Sequence, residues 1–124
     1  MQPRDRRLLV CASEELVEKN YVGLALQYRN ESHSGLVFRF KGKVYAYLNQ
    51  CVHMPRALDC QRDTIFDDAR QLLRCSMHGI VYEPETGKSL STMCNGERLQ
   101  ALRVKEIDGN IYIDDKRVLP AQGR

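Results

Sequence analysis

The residues of this sequence best suited to chemistry are two pairs of cysteine and histidine. The first pair lies in Cys51-Val52-His53, and the second lies in Cys75-Ser76-Met77-His78-Gly79 after a gap of 21 residues. The chain has only three histidines, and two of them fall in these pairs. Thiolate and imidazole are common ligands of zinc and iron, so the four side chains predict a metal centre.

Two kinds of centre fit two sulfur and two nitrogen ligands. A structural zinc ion accepts such a set in tetrahedral geometry. Zinc modules usually pair like with like, as CxxC and HxxxH, whereas each segment here mixes the two ligand types. A mixed segment can give its cysteine to one iron and its histidine to another, which favours a two-iron cluster. A structural zinc module without a redox role stays the alternative.

The sequence resembles the Rieske family, whose pattern of CxH followed by CxxHG is matched by Cys51, His53, Cys75, His78 and Gly79. Tyr82 stands where the family has an aromatic residue, and Thr86-Gly87 resembles its hairpin turn. Leu58 also fits the pattern, and residues 99–113 resemble the closing hairpin. The similarity extends over residues 8–113, with the four ligands and the Thr-Gly turn as its specific part.

The resemblance implies one [2Fe-2S] cluster per chain. Cys51 and Cys75 would bind one iron, and His53 and His78 would bind the other, with the histidines near the surface. The hydroxyl of Tyr82 would donate a hydrogen bond to a cysteine sulfur, which stabilises the reduced cluster and raises the reduction potential.

The neighbours of the ligands also predict the range of the potential. High-potential members of the family carry a disulfide between the two ligand loops and a serine after the His-Gly pair. This chain has Cys60 in the first loop, but Met77 and Ile80 stand at the corresponding positions of the second. Without the disulfide and the serine, we expect a midpoint of about −150 to +50 mV, the lower part of the range for such centres.

The segments around the ligands differ from the family at three points. The gap between His53 and Cys75 is longer than usual, Pro55 stands where many members have glycine, and residues 93–96 lack a proline. The acidic residues of the long gap favour a solvated insertion over a docking loop. Met54, Pro55 and Met77 flank the histidines and predict an adaptable apolar docking patch.

Several other residues of reactive types receive structural interpretations. His33 lies in the polar segment 30–34 and is interpreted as a surface-loop histidine rather than a third ligand or proton relay. Cys11 lies in an apolar run and is interpreted as a small hydrophobic residue, whereas Cys60 and Cys94 are taken as incidental loop thiols. Tyr45 and Tyr47 alternate with apolar residues, as in a half-buried strand.

The elements that must position the ligands are mostly strands. Eight runs of strand length lie at Leu8 to Ala12, Val22 to Tyr28, Gly35 to Phe40, Val44 to Leu48, Gln71 to Arg74, Ile80 to Tyr82, Leu99 to Ile107 and Ile111 to Ile113. Turns are predicted at residues 41–43, 84–87 and 108–110, and one short peripheral helix at Ser13 to Asn20. The expected fold is an antiparallel β protein. The resemblance implies a Rieske-type β-sandwich or barrel with a small cluster-binding subdomain built from two loops.

Composition sets the remaining expectations. The 124 residues predict one domain, residues 1–124, with the cluster-binding part at about 49–96. The net charge of +3 is small and its basic residues are scattered, which argues against nucleic-acid binding. No apolar run is long enough to span a membrane. Arg6-Arg7 precedes an apolar stretch too short for an export signal, so the cytoplasm is expected.

These observations predict a one-electron carrier with no catalytic residue of its own. The chain lacks the further histidines that the mononuclear iron site of an oxygenase needs, and it contains no GxGxxG motif for a dinucleotide. It would therefore need redox partners: a ferredoxin would pass electrons from a flavin reductase to a terminal oxygenase or other oxidoreductase. The alternatives are a small Rieske subunit of a larger reductase of the nitrite reductase type, and a redox- or iron-sensing regulatory module.

Overall fold

The computed structural model describes residues 8–50, 58, 65–66, 71–74, 80–90 and 97–120. Its strands are β1 (Leu8–Ala12), β2 (Tyr21–Tyr28), β3 (Glu31–Phe40), β4 (Lys43–Leu48), β5 (Leu73–Arg74), β6 (Val81–Tyr82), β7 (Ala101–Leu102), β8 (Val104–Ile107), β9 (Asn110–Ile113) and β10 (Val118–Pro120). Every pair of neighbouring strands among them is antiparallel. The prediction of a mostly β, antiparallel fold is confirmed. Within the described ranges, no helix has the length and apolar character needed to cross a membrane.

Three hairpins turn through two residues that both have positive φ. These pairs are Arg29-Asn30 (51° and 69°), Lys41-Gly42 (53° and 80°) and Asp108-Gly109 (51° and 81°). Turns of this kind match the right-handed twist of the strands that they join, which is why glycine and asparagine recur in them. The predicted turns at residues 41–43 and 108–110 are confirmed.

The Arg29-Asn30 turn corrects the prediction for His33. The polar segment 30–34 is not a connection, because the chain reverses at Arg29-Asn30 and β3 begins at Glu31. His33 lies within β3 opposite Leu26, and its side chain is 23% exposed. Its imidazole lies 3.6 Å from the Glu31 carboxylate and edge-on to the Tyr28 ring. The loop interpretation was wrong because polar side chains are acceptable on the outer end of a long strand.

The largest sheet has the order β10-β2-β3-β4-β7 and carries an apolar core on each face. One face packs on the three-stranded sheet β1-β9-β8. The fully buried or nearly buried members of this sandwich core are Leu16, Leu26, Tyr28, Val37, Ala46, Leu48, Leu102, Ile111, Ile113 and Val118. Two packed antiparallel sheets form a β-sandwich, one of the two architectures, sandwich or barrel, that the resemblance implied.

The opposite face of the large sheet packs on the two-stranded sheet β5-β6 and on short stretches beside it. This loop-side core contains Leu36, Phe38, Phe40, Tyr47, Leu58, Ile65, Phe66, Leu73, Ile80, Tyr82 and Leu99. The alternation of side chains along β3 and β4 explains how one sheet supplies both cores. Tyr47 points into the loop-side core, whereas its neighbours Ala46 and Leu48 belong to the sandwich core.

The predicted strand Leu99 to Ile107 is divided in the structure. Ala101–Leu102 (β7) pairs with β4, and Val104–Ile107 (β8) pairs with β9, so the two halves join different sheets. The break falls at Arg103, whose main-chain N–H donates to the carboxylate of Asp115 at 2.9 Å. β10 was not predicted at all; its pairing with β2 buries Val118.

The predicted helix Ser13 to Asn20 is limited to a 3₁₀ turn, Ser13–Glu15. The Arg39 guanidinium explains why a helix does not continue. It donates to the main-chain oxygens of Leu16 at 2.7 Å and Ser13 at 3.3 Å, and it also pairs with Glu106 at 2.7 Å. The carbonyl groups that an α-helix would use are therefore bonded to a side chain from β3.

Candidate metal centre

The four predicted ligands lie outside the described residues, but each is close in sequence to a described strand. Cys51 and His53 come three and five residues after the end of β4, and Cys75 and His78 lie in the connection between β5 and β6. Met54, Pro55, Met77, Cys60 and Cys94 also lie outside the described residues. The residues on either side of each ligand segment therefore show where the two ends of that segment lie in the fold.

The first ligand segment, residues 50–57, is closed by a hydrogen bond between its two flanking residues. The main-chain N–H of Asn49 donates to Ser34 at 2.9 Å and so continues the pairing of β4 with β3. The side-chain oxygen of Asn49 accepts the main-chain N–H of Leu58 at 2.7 Å. Leu58 is fully buried in the loop-side core. The two ends of this segment are thus fixed against the same sheet.

The second ligand segment, residues 75–79, is held by a strand pair. Leu73 lies opposite Tyr82 and Arg74 lies opposite Val81 in β5 and β6. The main-chain N–H of Arg74, the residue before Cys75, donates to Ile65 at 2.7 Å. Phe66 forms a further bridge with Leu73. The pairing brings the two ends of the second segment together.

Residues at the ends of both ligand segments are buried in the loop-side core, which forms a common base for the two segments. Leu58 from the end of the first segment and Leu73 and Tyr82 from the flanks of the second are all fully buried there. Phe38 of β3 stacks on Tyr47 at 5.9 Å between ring centroids and meets Phe66 edge-on at 5.8 Å. Tightly packed aromatic contacts of this kind give the two segments a common rigid support.

The turn after β6 closes on the central sheet. Its Gly87 has φ of +76°, and a Cβ atom there would lie 2.8 Å from Cε1 of Tyr47. The hydroxyl of Tyr47 donates to the main-chain oxygen of Pro84 at 2.8 Å, and burial raises the pKa of Tyr47. The predicted turn at residues 84–87 is confirmed, and glycine is required by both its backbone conformation and its close approach to the Tyr47 ring.

A family comparison adds the decisive observation to this geometry. The model of the Rieske [2Fe-2S] domain matches residues 6–108, which includes all four predicted ligands and both segments that carry them. The chain belongs to the Rieske [2Fe-2S] domain family. Comparison with curated protein sequences gives no match.

Solved structures share the fold of this Rieske domain. A chain from the complex of reduced oxygenase and oxidized ferredoxin in carbazole 1,9a-dioxygenase superposes with a TM-score of 0.70 at 21% identity, over 90% of this chain and 95% of that chain. The ferredoxin of carbazole 1,9a-dioxygenase from Nocardioides aromaticivorans IC177 gives a TM-score of 0.66 at 22% identity, over 89% and 98% of the two chains. At these identities the likeness concerns the fold, and it confirms the Rieske-type architecture.

The donor set of the Rieske domain suits its [2Fe-2S] cofactor. Two thiolates and two neutral imidazoles, offered in two mixed segments, are the ligands that such centres use. Within the described ranges, no group of three or more histidine, cysteine, aspartate or glutamate side chains is placed to hold a metal ion. Family membership confirms the predicted cofactor and disfavours the structural zinc alternative.

Tyr82 is the one predicted neighbour of the cofactor that the structure describes. It lies four residues after His78, is fully buried and pairs with Leu73 across the β5–β6 hairpin. Its position at the base of the second ligand segment is compatible with donation to a cysteine sulfur, which stays a prediction.

Cys11 lies on the other side of the molecule from that base. It is partly buried on β1 against the sandwich core, and burial raises the pKa of its thiol. A neutral, shielded thiol behaves as a small hydrophobic residue, as the sequence predicted.

Asn49 and Tyr47 are the two site residues that sequence reasoning missed. The sequence suggested no role for Asn49, and for Tyr47 it suggested only a position in a half-buried strand. Both make hydrogen bonds to residues distant in the chain, Leu58 and Pro84. The only sequence feature that could have indicated the Asn49–Leu58 bond is an apolar residue nine positions after the asparagine, and this is a weak signal.

Proposed function

We propose that this Rieske domain is a ferredoxin, a carrier of single electrons that serves an oxygenase or another oxidoreductase. The observation that carries the proposal is the common base of the two ligand segments in a member of the Rieske family. The chain would hold one [2Fe-2S] cluster and would not be an enzyme by itself. We further propose that residues 1–124 form one domain, with the cluster-binding part at about 49–96.

The ligand assignment follows the family pattern. We assign Cys51 and Cys75 to one iron and His53 and His78 to the other. When bound, such a cluster takes up and releases one electron at a time. The role of the four side chains is to hold the irons in a fixed arrangement, and the role of the loop-side core is to keep the two segments from moving apart.

The buried hydroxyl of Tyr82 is proposed to donate a hydrogen bond to a cysteine sulfur. A donor near the sulfur compensates the negative charge that reduction adds. Full burial of Tyr82 supports this role, because a buried hydroxyl is normally hydrogen-bonded.

Partners on both sides are part of the proposal. The similar solved structures include a dioxygenase ferredoxin and an oxygenase–ferredoxin complex, which supports a terminal oxygenase as acceptor. A flavin reductase is the proposed donor. Docking would use the apolar patch of Met54, Pro55 and Met77 and would be transient, since rapid exchange of partners favours small interfaces. The proposed compartment is the cytoplasm, whose reducing conditions suit unpaired thiols.

The test is low-temperature electron paramagnetic resonance on anaerobically purified protein, as isolated and after dithionite reduction. Iron, sulfide and zinc are quantified on the same sample. We expect two irons per chain and a rhombic signal that appears only on reduction, with an average g value clearly below that of an all-cysteine cluster. A silent sample with one zinc per chain would overturn the proposal.

Two further measurements separate the ferredoxin from the other Rieske functions. Stable co-purification with a large catalytic chain would instead indicate a reductase subunit of the nitrite reductase type. Partner affinity that depends strongly on the oxidation state would indicate a sensing module.

A further inference from the structure

We infer that Asn49 is a positioning residue for the first ligand segment, because its side chain bonds to Leu58 and so fixes the two residues that bound this segment relative to each other. The inference rests on the proposed assignment of Cys51 and His53 as ligands. It concerns a residue outside the Rieske ligand pattern, and it makes the end of β4 part of the cofactor-binding apparatus.

The main chain of Asn49 is fixed before the ligand segment begins. Its N–H donates to Ser34 at 2.9 Å, directly beyond the last paired residues of β3 and β4, Gly35 and Leu48. The N–H of Gln50 then turns back to Leu48 at 2.9 Å. This bond spans only two positions, so the chain turns sharply directly before the ligand segment.

The side chain of Asn49 fixes the other end of the segment. Its carboxamide oxygen accepts the N–H of Leu58 at 2.7 Å, across nine positions of sequence. Leu58 is itself held by full burial in the loop-side core. A loop whose ends are both fixed has far fewer accessible conformations, so the entropy cost of holding its ligands is already met in the folded protein.

The same bond links the end of the first segment to the core that borders the second segment. Leu58 belongs to the same core as Leu73 and Tyr82, which flank the second ligand segment. A shift of Leu58 away from Asn49 would change the separation of the two segments, although no ligand residue would be altered. The expected effect is therefore on the metal centre and not only on the stability of β4.

The side chain of Asn49 has the length and chemistry that the bond needs. An aspartate at this position keeps an oxygen acceptor at the same distance from the main chain, whereas alanine removes the acceptor and serine places its oxygen one bond nearer to the main chain. Asn20 provides a matched control, because it is exposed and the hydrogen bonds that involve it use its main chain.

The experiment compares the wild-type holoprotein with Asn49→Ala, Asn49→Asp and Asn20→Ala. Three quantities are measured: the rate at which a chelator removes iron, the g values after dithionite reduction, and the reduction potential. We expect Asn49→Ala to lose iron about tenfold faster, with shifted g values and a shifted potential, because losing the support of metal ligands typically lowers metal affinity by at least about tenfold. Asn49→Asp should stay within about twofold of the wild-type rate and keep its g values. Asn20→Ala should match the wild type in all three.

Each other outcome decides against the inference. If Asn49→Ala keeps the wild-type iron-loss rate and g values, even with a lowered unfolding temperature, then Asn49 stabilises the fold but does not position the ligands. Equally fast iron loss in the aspartate and alanine variants would refute the role of the acceptor. If Asn49→Ala does not fold, Asn49→Ser replaces it with the same expectation. Absence of a rhombic signal in the wild type would refute the proposed ligand set, which is distinguishable from an unchanged signal in the variant.

Discussion

The hydroxyl of Tyr47 and the main-chain oxygen of Pro84 form a 2.8 Å hydrogen bond that joins the central sheet to the turn after β6. Tyr47 is 2% exposed, so the bond is shielded from water. Tyr47 and Asn49 are separated by one residue. Tyr47 fixes the turn after β6, and Asn49 fixes Leu58 at the end of the first ligand segment.

Replacing Tyr47 by phenylalanine removes this bond with little change in volume. We expect the free energy of unfolding to fall by about 1–2 kcal/mol, because the Pro84 oxygen loses its buried donor. Tyr45→Phe is the control, since the Tyr45 hydroxyl has no hydrogen-bond partner in the part of the chain that the structure describes. Urea unfolding followed by circular dichroism measures the difference, and equal losses in the two variants would contradict the prediction.

Gly87→Ala should destabilise the protein more than Gly42→Ala. Both glycines have positive φ, +76° and +80°, so both variants carry backbone strain of about 1–2 kcal/mol. Only at Gly87 would the added Cβ meet another residue, 2.8 Å from Cε1 of Tyr47; at Gly42 nothing lies within 4 Å. We expect an additional loss of about 1–3 kcal/mol at Gly87. Matched thermal or urea unfolding of the two variants tests this, and a similar loss at both sites would argue against the close packing of the turn.

Asp115→Asn should lower the free energy of unfolding most at neutral pH and less in acid. The Asp115 side chain is 2% exposed, and hydrogen bonds from the Arg117 guanidinium and from the main-chain N–H groups of Arg103 and Arg117 hold its pKa well below the ordinary value. A lowered folded-state pKa stabilises the protein above the unfolded pKa of about 3.9, and this contribution is lost as the pH falls below that value. We expect a loss of about 2–4 kcal/mol at pH 7.

The control for Asp115 is its neighbour. Asp114 pairs with Lys105 at 3.1 Å on the surface, with its side chain 33% exposed, so Asp114→Asn should cost less than about 1 kcal/mol. Unfolding of both variants and the wild type is compared from pH 3 to 7. A difference between wild type and Asp115→Asn that grows as the pH falls would contradict the assigned direction of the pKa shift.

The reduction potential should lie at about −150 to +50 mV and should fall further in Tyr82→Phe. Removing the proposed hydroxyl donor destabilises the reduced state by about 1 kcal/mol, which corresponds to roughly 40 mV for one electron. Tyr45→Phe, in a partly buried residue at the edge of the loop-side core, should leave the potential unchanged. Redox titration followed by visible absorbance makes the measurement. A midpoint near about +300 mV in the wild type, or none of the expected shift in Tyr82→Phe, would contradict the assignment.

Met77→Glu should slow electron transfer to the acceptor while the cofactor content stays that of the wild type. A charge placed in an apolar docking patch disfavours the complex, and a tenfold slower transfer corresponds to about 1.4 kcal/mol of lost docking energy. Val17→Glu is the control, because Val17 is an exposed apolar residue, 56% exposed, in the connection beside the sandwich core. Stopped-flow reduction of a terminal oxygenase by the dithionite-reduced protein compares the variants, and unchanged transfer in Met77→Glu would remove the docking patch from the proposal.

Local chemistry made much of this fold predictable from sequence. The turns at Lys41-Gly42 and Asp108-Gly109 depend on backbone conformations that few residues adopt, so their positions are encoded where they occur. The alternating runs of β2 and β4 are likewise local. The candidate ligands were recognised because cysteine and histidine at that spacing are typical of metal binding, although their arrangement stays a prediction.

The features that the sequence did not reveal depend on distant partners. The break between β7 and β8 falls at Arg103, whose main-chain N–H bonds to the carboxylate of Asp115, twelve residues further along the chain. β10 exists because β2 offers it a free edge, and its three residues carry no strong strand pattern of their own. The short 3₁₀ turn at Ser13–Glu15 is likewise limited by Arg39. Tertiary contacts override weak local preference in each case.

Because the central sheet has a core on each face, β3 is enclosed on four sides: by β2 and β4 in the plane, and by apolar side chains above and below. Its amide hydrogens should be among the slowest in the molecule to exchange with deuterated solvent. Among the described residues, the contacts that join the boundaries of the ligand segments to this interior are the Asn49–Leu58 bond and the β5–β6 pairing. The lifetime of the loaded protein would then be governed by local opening at one face of the sheet, long before the sandwich on the other face comes apart.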